Sequence, residues 1–184
     1  VLPVGLYGSR PQCYAGQVWS HVLWSIENAH LNNIGLCGLL ADLHKAFNML
    51  PRMVVMEACA ILGIPMPILI AWAGALGQMQ RRFQIRNSLS PAVWSTCGFP
   101  EGDAMSCVAM LVVDILYHEW FHHFLPMTQP ISYVDDWQIL LCDPAQMTAV
   151  ANTLDTLVES LDLLLDKKKT HVWAVHTDGR RMLR

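Results

Sequence analysis

Two adjacent aspartates, Asp135 and Asp136, stand between two apolar runs, Ile131 to Val134 and Trp137 to Leu141, and this pattern restricts the fold more than any other stretch. Apolar arms of this length around a two-residue polar break read as a tight β-hairpin with carboxylates at its tip. Neighbouring carboxylates repel each other and lose hydration, so a structural role is unfavourable unless cations neutralise them. A pair of hard divalent ions about 4 Å apart would do so, and such pairs catalyse phosphoryl transfer by holding the attacking and leaving oxygens. Successive strand side chains point to opposite faces, so Asp135 is expected to share metals directly with a further carboxylate.

Asp42 supplies that carboxylate. It follows the short apolar run Ile34 to Ala41, which has two glycines, no polar side chain and the character of a strand buried on both faces. Helical spacing of Val18, Val22, Leu23, Ile26 and Ala29 precedes it. Two helices are expected near Pro51 to Leu62 and Pro67 to Met79, then a hairpin from Arg81 to Arg86 and Ala92 to Thr96. Beyond the turn Gly98 to Gly102 come a long apolar helix to Phe124, the carboxylate hairpin, a helix over about Pro144 to Leu163 and a strand around His171 to Val175. The order gives an α+β fold, with helices covering one face of a mainly antiparallel sheet.

A hydrophobic content of 53% supplies the core of one domain. Charged residues make up 15% and the net charge is −3, which argues against a free-standing nucleic-acid binder. Basic residues cluster as Arg81, Arg82 and Arg86; Lys167, Lys168 and Lys169; and Arg180, Arg181 and Arg184. The six cysteines are scattered without a paired motif and read as reduced core residues of an intracellular protein. The opening at Val1, without an initiator Met or leader, reads as an excerpt of something longer. From Met53 to Met79 the only charged side chain is Glu57, but Gly63, Pro65 and Pro67 break the run into two helices expected to be buried, with no membrane span.

His118-Glu119-Trp120-Phe121-His122 competes for the chemistry, because two His at i and i+4 with an intervening Glu fit the zinc-peptidase pattern. No third ligand follows closely after His123. Counted from Gly102, His118 lies about 24 Å along a helix, remote from the carboxylate hairpin.

The carboxylate pair has more extensive company. Asp42-Leu43-His44-Lys45-Ala46-Phe47-Asn48 resembles the block D-x-x-K-A-F-D of reverse transcriptases, with Asn48 in place of the last Asp. Gly98-Phe99-Pro100-Glu101-Gly102-Asp103-Ala104-Met105-Ser106 resembles G-h-P-Q-G-x-x-h-S, where h is apolar and Glu101 replaces Gln. Tyr133-Val134-Asp135-Asp136 matches Y-h-D-D, and Leu161 to Thr170 resembles L-G-L-x-h-N-x-x-K-T. Tyr7-Gly8-Ser9-Arg10 is similar to the aromatic-G-F-R segment of LINE-type enzymes, the reverse transcriptases of retrotransposons that lack long terminal repeats. The blocks stand in family order over nearly the whole chain.

This resemblance implies a polymerase palm with part of the fingers, residues 1–184 forming a single core with no thumb, endonuclease or ribonuclease H segment visible. It implies primer extension on an RNA template, with two Mg²⁺ ions on Asp42 and Asp135 and support from Asp136. Phe47 would lie under the sugar of the incoming nucleotide, and Pro100, Glu101 and Gly102 beside the nascent base pair. Lys169 would approach the pyrophosphate leaving group, and Arg10 would contact phosphate. Expected partners are an RNA template, a DNA primer, deoxynucleoside triphosphates and flanking domains of a longer polyprotein. An ionised Glu101 cannot donate the hydrogen bonds of a Gln. Asn48, Glu101 and the acidic balance therefore keep open a catalytically silent relic as an alternative.

Overall fold

The computed structural model describes residues 2–183, so Val1, and Arg184 of the third basic cluster, lie outside the described residues. In chain order the elements are α1 (Ala15–Leu31), β1 (Cys37–Asp42), α2 (Ala46–Met49), α3 (Arg52–Ile61), α4 (Met66–Gly77), β2 (Gln80–Arg81), β3 (Gln84–Ile85), β4 (Ser88–Leu89) and β5 (Val93–Trp94). Then follow α5 (Ala104–Phe124), β6 (Gln129–Tyr133), β7 (Asp136–Leu141), α6 (Met147–Ser160), β8 (His171–Ala174) and α7 (Thr177–Met182).

The main sheet runs β6-β7-β1-β8, antiparallel throughout. Strand β1 is internal and pairs with β7 from Cys37↔Leu141 to Asp42↔Asp136. Beside β6 the N-terminal segment adds a short parallel bridge: the Tyr7 amide donates to the Ser132 carbonyl at 2.9 Å and the Ser132 amide to the Gly5 carbonyl at 3.0 Å.

Alternation distributes the strand residues between two apolar clusters. Cys37, Leu39 and Ala41 of β1, with Trp137, Ile139 and Leu141 of β7, enter the main core beside Val55 of α3, Val113 and Tyr117 of α5 and Leu154 of α6. Ile131 and Leu140 point the other way and meet Val18, Val22 and Ala29 of α1. Helices therefore cover both faces of the sheet, where one covered face was expected. The cause is legible in β1, whose run is apolar at every position and needs burial on both sides.

The helices expected to be buried are only half so. Helix α3 buries Val55, Ala58 and Cys59, and α4 buries Leu69, Trp72 and Leu76. Met53, Ile61, Met66, Ile68 and Ile70 are exposed. A helix apolar on all sides does not announce which stripe it packs, and here α4 uses a narrow one. The cysteines also depart from expectation: all six are free, but only Cys37 and Cys59 are buried, while Cys97, Cys107 and Cys142 are exposed.

The region after α4 is a nested pair of ribbons: β2 pairs with β5, and β3 with β4 inside it. Residues 87–91, expected as a plain connector, contribute β4. The short helices α2 and α7 escape periodicity analysis because four and six residues define no repeat. Among the described residues, α5 is the one helix long and apolar enough to cross a membrane, and half of its most apolar stretch is buried inside the fold. Tyr117 and Phe121 of this helix are fully buried, and each such side chain contributes about 1.5–3 kcal/mol of apolar burial.

Candidate active site

Strand pairing brings the acidic residues together at one end of the sheet. Asp42 closes β1 and Asp136 opens β7, and the two are direct partners in the antiparallel register. Directly opposed residues project to the same face. Asp135 lies in the turn just before β7, after Val134 in the left-handed region at φ 59°. Asp136 thus shares the face of Asp42 within the strand pair, while the direction of Asp135, which stands in the turn, is not set by strand alternation. Partial burial, reinforced by Asp135 and then Asp42, raises the Asp136 pKa above its ordinary value, while Lys169 acts in the opposite direction.

Lys169 reaches this cluster because the segment after α6 runs back along the end of β1. The His44 amide donates to the Leu164 carbonyl at 2.8 Å, and the Asp166 amide to the Asp42 carbonyl at 2.8 Å. The Asp166 carboxylate accepts from the Lys168 amide at 3.0 Å, setting the turn that presents Lys169. The Lys169 Nζ donates to both Asp42 oxygens at 3.2 Å, and the carboxylate holds the ammonium pKa above its ordinary value.

A second constellation joins α2 to the 98–102 turn. The Phe99 amide donates to the Phe47 carbonyl at 2.6 Å, and the half-buried Phe47 ring packs against the main core. Asn48 donates through Nδ2 to Glu101 Oε1 at 2.6 Å and accepts at Oδ1 from Arg81 Nη1 at 2.9 Å. Gly102 takes φ 84°, a conformation that L side chains rarely adopt, just ahead of α5. Asn48, Arg81, Arg82, Phe83, Pro100 and Glu101 line a cleft of about 460 Å³. Arg10 turns inward to its own loop, donating to the Leu6 carbonyl at 2.8 Å.

Two groups that sequence reasoning passed over support the site from behind. Asp114 of α5 is fully buried; its Oδ1 accepts from the Trp137 indole at 2.8 Å and its Oδ2 has no hydrogen-bond partner. Burial raises its pKa well above the ordinary range against the opposing Trp137 and Ser132 side chains, and Asp135 adds to the rise. Trp137, next to Asp136, is also stacked on Tyr117 with ring centroids 4.4 Å apart. An aspartate amid an apolar helix was the available signal for this support. Arg52 is the other group, donating to the carbonyls of Gly98 at 2.7 Å, Leu76 at 3.0 Å and Ser95 at 2.7 Å. It ties α3 to α4, the ribbons and the turn.

The His pair is placed elsewhere. His118 is buried, its Nε2 lies 3.1 Å from Ser132 Oγ, and burial lowers its pKa to about 4. His118, Glu119 and His122 line a separate cleft of about 420 Å³ with Thr128 and Gln129. Among the described residues no group of three His, Cys, Asp or Glu side chains converges on a metal position, there or at the carboxylate cluster. The zinc-peptidase alternative thus lacks its third ligand.

The antiparallel sheet, the helices packed on it and the carboxylate hairpin form a fold shared with solved telomerase structures. No family model and no curated protein matches the sequence. Among solved structures, the chain is similar to apo telomerase from Candida tropicalis truncated from its C-terminal domain, with TM-score 0.68 and 12% identity over 92% of this chain and 36% of that one. Telomerase from Candida tropicalis in complex with a TWJ fragment of telomeric RNA gives TM-score 0.69 and 11% identity, covering 94% of this chain and 30% of that one. The Candida albicans complex gives TM-score 0.65 and 15% identity, over 92% and 32%. The chain spans about a third of the length of these telomerases, and the likeness shows the fold.

Proposed function

We propose that the chain is the palm-and-fingers core of an RNA-directed DNA polymerase of LINE type, extending a DNA primer on an RNA template. The observation that carries this reading is the placement of Asp42 opposite Asp136 at the end of an internal strand pair, with Asp135 in the adjoining turn. The telomerase complexes named above contain RNA, which supports an RNA template here.

The donor chemistry suits hard divalent cations, with carboxylate oxygens on Asp42, Asp135 and Asp136 at one end of the sheet and one positive charge already held by both Asp42 oxygens, although the three do not converge on a single metal position. Asp42 and Asp135 would hold two Mg²⁺ ions, with Asp136 beside them. When bound, the metals would lower the pKa of the primer 3′-hydroxyl and offset charge at the α-phosphate and departing pyrophosphate. The chain's own residues would do the rest. Phe47 would exclude a 2′-hydroxyl at the nucleotide sugar, Pro100, Glu101 and Gly102 would flank the nascent base pair, and Lys169 would approach the leaving group. Arg10, anchored through Nη1 to the Leu6 carbonyl, would contact phosphate through its remaining N–H groups. Residues 1–184 would act as one core inside the cell, alongside flanking domains of a longer polyprotein.

The test is primer extension on an RNA template by the full-length protein, with Mg²⁺ supplied and then chelated. Asp42→Ala, Asp135→Ala and Asp136→Ala should each nearly abolish extension without unfolding the protein. Full extension by Asp42→Ala would refute the assignment. Metal-dependent folding with no extension by the parent protein would favour the silent relic.

A further inference from the structure

Two of the positions at which the sequence departs from the reverse-transcriptase blocks are in direct contact. Asn48 stands where the first block has Asp, Glu101 stands where the second has Gln, and their side chains are joined by a 2.6 Å hydrogen bond. We propose that Asn48 and Glu101 are one reciprocal exchange, and that Asn48 is a positioning residue holding Arg81 of the ribbon against the cleft that takes an anionic, polyphosphate-bearing ligand.

Donor and acceptor chemistry fixes the direction of every bond. Arginine only donates, so its partner on Asn48 must be the amide oxygen; an ionised carboxylate only accepts, so Glu101 must face the amide nitrogen. Asn48 thus acts as acceptor from Arg81 at 2.9 Å and donor to Glu101 at 2.6 Å at once. Aspartate at position 48 could satisfy Arg81 but would meet Glu101 with no proton to share. With Gln at position 101 the same aspartate would again have a donor opposite it. The exchange therefore keeps one amide and one carboxylate in contact while moving the negative charge from position 48 to position 101.

That relocation changes what Arg81 presents. Its partner at position 48 is a neutral amide rather than a carboxylate, so its charge is not cancelled there. Glu101 and Arg82 line the same cleft of about 460 Å³. The backbone around Asn48 is equally constrained: Gly98 approaches so closely that an added Cβ would collide with the Asn48 carbonyl oxygen, and Cys97 Sγ lies 3.6 Å from that oxygen. Position 48 is thereby held in place against the turn that carries Glu101, and Asn48 links ribbon, palm and turn through side-chain bonds.

The ligand assignment rests on the polymerase reading, whereas the pairing does not, and the experiment separates them. The full-length protein is prepared as Asn48→Asp, Glu101→Gln and the double exchange. Thermal unfolding and steady-state primer extension with varied deoxynucleoside triphosphate are measured for each. Asn48→Asp should raise the nucleotide KM by about tenfold, the size of coupling expected within one hydrogen-bond network, with kcat little changed. The double exchange should recover most of that KM and the lost thermal stability. If Asn48→Asp does not fold, the Asn48→Ala, Glu101→Ala and double-alanine set gives the same reading, with the double no worse than the poorer single. Additive losses in either set would overturn the pairing. Recovery of stability without recovery of KM would overturn the positioning role. If the parent protein extends no primer, the unfolding cycle still decides the pairing, and the failure belongs to the polymerase reading.

Discussion

The Lys169 ammonium and the Asp42 carboxylate form a two-point contact, Nζ standing 3.2 Å from each carboxylate oxygen. A divalent cation placed there, as proposed, would compete with the lysine for the same oxygens. Lys169→Ala is expected to bind Mn²⁺ several-fold more tightly, because a competing cation and its repulsion are both removed. Primer extension should fall in the same variant, since the residue proposed to meet the leaving group is gone. Calorimetric titration of Mn²⁺ checks the first arm, and unchanged affinity would show that the contact does not compete.

Phe47 is half-buried, with its ring against the core and its carbonyl bonded to the Phe99 amide. Phe47→Ala should lower stability by about 1–3 kcal/mol, as for a partly buried large-to-small change. The proposed sugar contact predicts a second effect: the ratio of deoxynucleotide to ribonucleotide efficiency should fall. Competition between the two nucleotides in primer extension measures it. A stability loss with an unchanged ratio would leave Phe47 as a core aromatic alone.

Two buried groups give stability opposite pH dependences. His118 titrates near 4 in the fold against an ordinary value of 6.5, so between these limits the unfolded chain binds more protons. Its contribution is complete above about pH 6.5 and is lost as pH falls towards 4, a change on the order of 3 kcal/mol. Asp114, whose pKa is raised, contributes in the other sense: stability is complete below its unfolded value of 3.8 and falls as pH rises towards its folded pKa. His118→Gln should remove the rising component from a denaturant series across pH 4–7, and Asp114→Asn the falling one. An unaltered pH profile in both variants would contradict these placements.

Arg52 binds three carbonyls that belong to three different segments. Arg52→Ala should destabilise by about 2–4 kcal/mol, because charge-assisted bonds are lost and partly buried acceptors are left unpaired. Arg52→Lys should rescue little, since an ammonium cannot reproduce the planar fork that spans Gly98, Leu76 and Ser95. Chemical denaturation with both variants tests this, and full rescue by lysine would show that charge alone suffices.

Much of this arrangement could be read from the chain itself. Asp42 at the end of an all-apolar run and Asp135-Asp136 between apolar arms specified two strands that an internal sheet must bring together. The long helix ending at Phe124 followed from its length and apolar content. What sequence did not disclose is mostly long-range or short in extent. The exposed stripe of α4 depends on what α4 packs against, and the Asn48–Glu101 bond joins residues 53 positions apart. Arg52 looked like an ordinary residue after a helix-opening proline, because its three carbonyl partners lie 24 to 46 residues downstream. The α1 cover on the second face was implied by the apolar strand but not assigned to a helix.

The segment around Leu6 has a consequence for solubility. Strand β6 is the last strand of the sheet on its side, and the hydrogen bonds of Gly5 and Tyr7 to Ser132 close part of its outer edge. Gly8 continues the seal to the hairpin tip, where any Cβ would strike the Val134 amide. Unsealed strand edges recruit other chains by backbone pairing. Removing residues 1–10 would thus convert a closed margin beside Asp135 into a self-association surface.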